Sequence, residues 1–282
     1  MGRACMSRFA KTFLKGGVIM FLQRYLTLII ATLSLLAAPS AAIADELEDI
    51  LQAGIIKIAV PQDFPPFGSA GKDGQLEGYD VDVARLVAKE LGVKLELVPV
   101  SSINRIPYLQ TGKVDLVISS LGVTPDRAKA IAFSNAYAPF FSGVFGDAKV
   151  QVKSTADLAG KTVGVTRGTI EDSDLARIVP KDASVRRFED NNATIGALLS
   201  GQVQLIATGS VVAATLAQKN PGKVEKKFVI RDSPAHIGVR RGEPDVVAWL
   251  NVFIYYHRKP GGELDALARK WFGEPLPVDP TL

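Results

Sequence analysis

From Ile55 to Phe272, short apolar runs rich in β-branched residues alternate with segments whose apolar residues recur at helical spacing. Ile55–Val60 predicts a strand, and Phe64-Pro65-Pro66-Phe67 a turn after it. Over Asp80–Leu91, Val83, Leu86, Val87 and Leu91 share one helical face, and Gly92 supplies a C-terminal stop. Lys94–Val98 and Val114–Ile118 follow as strands, the second apolar enough to be buried on both faces. Thr162–Thr166, Ser184–Phe188, Val203–Ala207 and Phe228–Ile230 are further strand candidates. Helices are expected at Asp245–Tyr256 and Gly262–Phe272. Strands and helices in alternation predict an α/β protein.

One pattern occurs twice. Gly112-Lys-Val-Asp-Leu-Val-Ile-Ser-Ser120 resembles Gly201-Gln-Val-Gln-Leu-Ile-Ala-Thr-Gly209, and each follows a helical segment, Arg105–Thr111 and Asn191–Ser200. Each copy sits inside its own run of strands and helices, so two α/β units are expected rather than one.

The N-terminus adds a targeting signal. Tyr25–Ala38 carries no charge, Arg24 precedes it and Ala42-Ile43-Ala44 follows. A basic flank, a short apolar core and a small-x-small site predict a cleaved secretory signal over 1–44. The apolar run is short for a membrane span. Met20 is an alternative start. The whole chain has a formal net charge of +4, but residues 1–44 hold five basic residues and no acids, so the remainder has 28 basic against 29 acidic residues, a net of −1. That near-neutral balance leaves no clustered basic face for nucleic acid. The lone cysteine, Cys5, falls in the leader, and His236 and His257 are far apart, so no metal site or cofactor is expected.

Candidate chemistry collects after the strand at Val114–Ile118. Ser119 and Ser120 stand at its carboxyl end, Gly122 offers an approachable backbone, and Arg127 falls two residues past Pro125 in the first turn of a short helix. Ligands of open α/β sheets sit outside strand carboxyl ends. Hydroxyls, backbone and a guanidinium fork there suit a small carboxylate. A surface ion pair with Asp126 is the alternative for Arg127. In the second unit, Gly168-Thr169-Ile170-Glu171 follows a strand and opens a helix, whose free N–H groups favour an anion. Thr169 also suits a plain helix cap.

Thr124-Pro125-Asp126-Arg127, then Phe133-Ser134 and Tyr137, resemble the family 3 extracellular solute-binding proteins, the periplasmic receptors of polar amino-acid ABC transporters. The likeness runs from about Leu47 to Phe272. It implies a periplasmic-binding-protein-like fold, two α/β lobes joined by two hinge segments with a ligand cleft between them. Lobe one would be 45–140 plus 238–282 and lobe two 141–237, with crossings near Pro139–Gly143 and Ser233–Gly238. It also implies ligand-binding roles for Phe64 as an aromatic wall, Ser119, Ser120, Gly122, Arg127 as the carboxylate grip, and Thr169, Ile170, Glu171 and Gly209. Ser102, Asn104 and Tyr79 are secondary candidates. The implied partners are an amino acid or related small carboxylate and an inner-membrane ABC permease with its ATPase; the implied state is a periplasmic monomer.

Gly209 departs from the family pattern, which usually places an aspartate there for the ligand's α-ammonium. Three explanations stand open. Glu171 or Asp172 supplies the charge, neutral groups near Ser119, Ser120 and Ser210 hold the ammonium, or the ligand lacks one. Pro61 stands where some basic-amino-acid receptors carry an acid. The rival reading is a secreted enzyme resembling the cyclohexadienyl dehydratases, which place an acid after a Gly-Thr turn much as Glu171 lies here. A sensory module would need a span and output domain after the lobes; none is expected after the Pro-rich Glu274-Pro275-Leu276-Pro277.

Overall fold

The computed structural model describes residues 46–277. The expected leader, with Cys5 and Met20, lies outside the described residues. Helix α1 (Glu46–Ala53) leads into β1 (Ile55–Pro61), a small antiparallel sheet of β2 (Asp63–Phe64), β3 (Gly68–Ala70) and β4 (Leu76–Glu77), then α2 (Tyr79–Leu91) and β5 (Lys94–Val100). After these come α3 (Arg105–Gln110), β6 (Leu116–Leu121), α4 (Pro125–Ala130), β7 (Ala132–Ala138) and β8 (Phe141–Gly146). The middle of the chain forms β9 (Thr162–Thr166), α5 (Ile170–Ile178), β10 (Ser184–Phe188), α6 (Asn191–Leu199), β11 (Leu205–Gly209) and α7 (Ser210–Lys219). Last are β12 (Glu225–Asp232), β13 (Ala235–Val239), α8 (Pro244–His257) and α9 (Glu263–Phe272).

The large strands divide into two five-stranded sheets, ordered β5-β1-β6-β13-β7 and β10-β9-β11-β8-β12. In each, four strands run one way and a single strand, β13 or β8, runs antiparallel between two of them. This is the two-lobed α/β architecture that the sequence predicts. Alternating side chains of β1 show why both sheet faces are covered. Ile58 and Val60 pack with Val83, Val87 and Ile254, whereas Ala59 packs with Leu109, Val117 and Ile131 on the other side. In the second sheet Leu205 and Ala207 face Val163 and Leu175, while Ile206 faces Phe145 and Ala213. Period-2 alternation in a strand buried on both faces requires apolar residues at every position.

The repeated sequence pattern is repeated in the structure. Asp115 donates its N–H to Lys57 O and accepts Lys57 N–H on its carboxylate at 2.8 Å. Gln204 does the same with Thr162, accepting its N–H at 2.9 Å. These side chains stand in for the first rung of each ladder. For that reason β6 and β11 begin at Leu116 and Leu205, two residues later than the apolar runs suggest. The shift carries Ser119 and Ser120 into the strand rather than beyond it.

The chain passes from the first sheet to the second between β7 and β8 and returns between β12 and β13. The two crossings touch, with Ser233 N–H donating to Phe140 O at 2.9 Å. Among the described residues no helix is long and apolar enough to cross a membrane.

Candidate functional site

Arg127 owes its position to a short, well-capped helix. Thr124 caps α4, accepting Arg127 N–H at 3.1 Å, and Pro125 occupies the first turn. Its guanidinium donates from one amino group to Gly122 O at 2.8 Å and from the other to Gly168 O at 2.9 Å. Gly122 follows β6 and Gly168 follows β9, so one side chain ties the two lobes. Asp126 pairs with Lys129 instead, at 3.0 Å.

A second arginine reaches the same carbonyl. Arg105, almost wholly buried at the start of α3, donates to Ser102 O at 3.0 Å, to Ser119 O at 2.8 Å and to Gly168 O at 3.4 Å. Burial, with the like charge of Arg127, pushes the Arg105 guanidinium down to about 10. Burial also lowers Arg127, against the opposing charge of Glu171. Two desolvated cations held by carbonyl dipoles make a strongly anion-seeking locus.

Ser120 is held in an uncommon conformation, φ 41°. Its N–H donates to Asp80 Oδ2 at 2.8 Å, and Tyr137 Oη–H donates to Asp80 Oδ1 at 2.5 Å. Tyr79 stacks on Tyr137, centroids 6.0 Å apart, and donates to its carbonyl at 3.1 Å. Desolvation raises the Asp80 carboxyl to about 7, with the Tyr137 and Ser120 hydrogen bonds opposing it. This buried network fixes the end of β6 facing the cleft.

Across the cleft, Thr169 caps α5 by accepting Asp172 N–H at 3.2 Å and donates its hydroxyl to Thr166 O at 2.8 Å. Gly168 has φ +75°, and a Cβ there would lie 2.6 Å from Ile103 Cα. Glu171 is 5 % exposed, and its Oε1 has no hydrogen-bond partner among the described residues. Desolvation raises its carboxyl, and the charges of Arg105 and Arg127 oppose the rise. A separate tie joins the lobes at Asp63, whose oxygens accept Asn191 N–H at 2.7 Å and Asn191 Nδ2–H at 3.0 Å. That pair puts a carboxylate at the N-terminus of α6.

Around one cavity between the lobes stand Phe64, Ser119, Ser120, Gly122, Arg127, Thr169, Ile170 and Glu171, all singled out by sequence, with Ser102. Asn104 and Tyr79 do not line it; Asn104 donates to Ser101 Oγ, and Tyr79 is fully buried. Gly209 does not line it either. A Cβ on Gly209 would lie 2.0 Å from Phe140 Cζ, so the Phe140 ring from the crossing segment covers the end of β11. Phe64 both lines the cavity and joins the apolar cluster, 5.9 Å from Phe67 and 6.4 Å from Phe140 between ring centroids.

Sequence reasoning missed Asp63, Arg105, Phe140, Asn191 and Ser233 as cavity residues. Arg105 carried a usable signal, a charged residue opening a short, mostly apolar helix. Asp63 and Asn191 gave none, because their pairing spans 128 positions.

The sequence pattern of the bacterial extracellular solute-binding proteins, family 3, matches residues 56–274, and this chain belongs to that family. It is 30 % identical over 237 residues to the L-cystine-binding protein of Escherichia coli K12, covering 82 % of this chain and 88 % of that one. A crystal structure of a mutant arginine-binding protein from T. maritima superposes with a TM-score of 0.75 at 30 % identity, covering 81 % of this chain and 99 % of that one. An ancestral amino acid-binding protein, described as a precursor of cyclohexadienyl dehydratase, gives 0.75 at 33 %, covering 80 % and 99 %.

A carboxyl raised in the fold contributes stability that is fully present below its unfolded pKa and is lost as pH rises through the folded value. Stability of the wild type relative to Asp80→Asn, measured by urea unfolding, should therefore decline from about pH 4 to about pH 7. A pH-independent difference would contradict the Asp80 assignment. Gly168→Ala should fold yet fail to bring the lobes together, because its Cβ meets backbone and its φ is strained. Small-angle scattering should show a larger radius of gyration than wild type; an unchanged radius would refute this.

Proposed function

We propose that this chain is a periplasmic receptor that captures an amino acid or closely related small carboxylate and delivers it to an inner-membrane ABC permease driven by its ATPase. The carrying observation is the meeting of Arg127 and Arg105 on the Gly168 carbonyl, backed by a family of solute-binding proteins. A carboxylate offers Arg127 two charged acceptors in place of two neutral carbonyls, so it is the better partner. Ser119, Ser120 and the Gly122 backbone complete the grip from lobe one, while Thr169 and Ile170 close over it from lobe two. Phe64 provides the apolar wall.

The cavity volume is about 30 Å³, room for only a couple of waters. An amino acid therefore enters as the lobes part, and Arg127 exchanges the Gly168 carbonyl for the ligand. Binding energy that favours one lobe arrangement over another is what a permease can read. The receptor acts as a monomer in the periplasm, after removal of residues 1–44.

A buried acid of raised pKa such as Glu171 is also the group a dehydratase on this scaffold would need. Titration calorimetry with the proteinogenic amino acids and L-cystine, alongside assays with prephenate and arogenate, separates the two readings. The receptor reading predicts tight binding without turnover. Arg127→Ala should weaken binding by about 2–5 kcal/mol, roughly 30-fold to several thousand-fold. Turnover, or full affinity in Arg127→Ala, would overturn it.

A further inference from the structure

A zwitterionic amino acid brings an ammonium along with its carboxylate, and burying that cation without an anion is costly. Among the described residues two carboxylates line the cavity, Asp63 and Glu171. Both oxygens of Asp63 are taken, one by Asn191 N–H and the other by Asn191 Nδ2–H. Glu171 is as deeply buried, at 5 % exposed, yet its Oε1 has no partner. The end of β11 offers no alternative, since Gly209 has no side chain and the Phe140 ring fills the space a Cβ would take. We propose, resting on the receptor reading above, that Glu171 receives the α-ammonium of the ligand, which makes the substrate class α-amino acids with a free amino group.

The chemistry of the locus fits this assignment. The α-ammonium and α-carboxylate of an amino acid share one carbon, so their protein partners must lie side by side. Glu171 sits in the first turn of α5, two residues after the Thr169 cap, and its charge is felt by both Arg105 and Arg127. A desolvated carboxylate oxygen without a donor gains more from an arriving ammonium than one already hydrogen-bonded. The same oxygen penalises analogues that carry a carboxylate but nothing to donate. Glu171 therefore acts as a selectivity element. Arg127 recognises that a carboxylate is present, and Glu171 recognises that an amino group stands beside it.

The alternative role for Glu171 is a fixed counter-ion that keeps the two arginines in place, and a ratio of affinities separates the roles. Calorimetric titrations would use the full mature chain with the proteinogenic amino acids and L-cystine, each tightest binder being paired with the same molecule lacking its α-amino group. Wild type should prefer the amino acid by roughly 100-fold, as expected for a buried charge-assisted pair. Glu171→Gln should lose most of that preference, to within about tenfold, while holding the deamino compound within about threefold of wild type. It should melt no lower than wild type in the absence of ligand, since it replaces a buried carboxylate that leaves Oε1 without a partner by an isosteric amide. Arg127→Ala should lose both compounds.

A preserved preference in Glu171→Gln sinks the proposal while leaving the receptor reading intact. An equal loss of both compounds, or a clearly lower melting temperature, assigns Glu171 to holding the arginines and also refutes it. Wild-type protein that binds no amino acid removes the receptor reading, and the ammonium assignment falls with it.

Discussion

The Gly168 carbonyl, gripped by the buried Arg105 and the half-buried Arg127, is the contact on which the rest of the cleft depends. Desolvated cations must be met by dipoles or anions, and water has little room in a cavity this small. Arg127 and Arg105 meet that requirement with backbone carbonyls at Gly122, Ser102, Ser119 and Gly168. Only the last belongs to lobe two. The same groups that make lobe one attractive to a carboxylate thus also pull lobe two onto it.

Much of the surrounding structure keeps this arrangement in register. The Asp80–Tyr137–Ser120 network fixes the β6 end, Thr124 and Thr169 cap the helices on either side, and Asp63 with Asn191 makes a second tie across the cleft. The hinge also reaches the site. Phe140 lies on a crossing segment, bonds through its carbonyl to Ser233 on the other, and puts its ring over Gly209. Any hinge rotation therefore moves a wall of the cavity.

The local features of the fold were legible in the sequence, because local physics produces them. The helix over Asp80–Leu91 followed from an apolar face and a Gly stop, and the structure begins it at Tyr79. The echo of Gly112–Ser120 in Gly201–Gly209 marked two equivalent strand entries, although the lateral bonds of Asp115 and Gln204 moved both starts inward. Arg127 was visible through Thr-Pro-Asp-Arg, whose cap and proline are local signals. Strands β7, β8 and β13 were less visible, because antiparallel partners distant in sequence define them. Asp63, Asn191 and Phe140 reach the cavity only through tertiary contacts, and single-sequence periodicity carries no trace of such contacts.

The most direct test is a crystal structure of residues 45–282 with the amino acid they bind most tightly. The account predicts the ligand carboxylate on the Arg127 fork, in the place that Gly168 O now takes, with Ser119, Ser120 and Gly122 around it. A ligand bound elsewhere, or one whose carboxylate leaves Arg127 still donating to Gly168 O, would contradict the central claim.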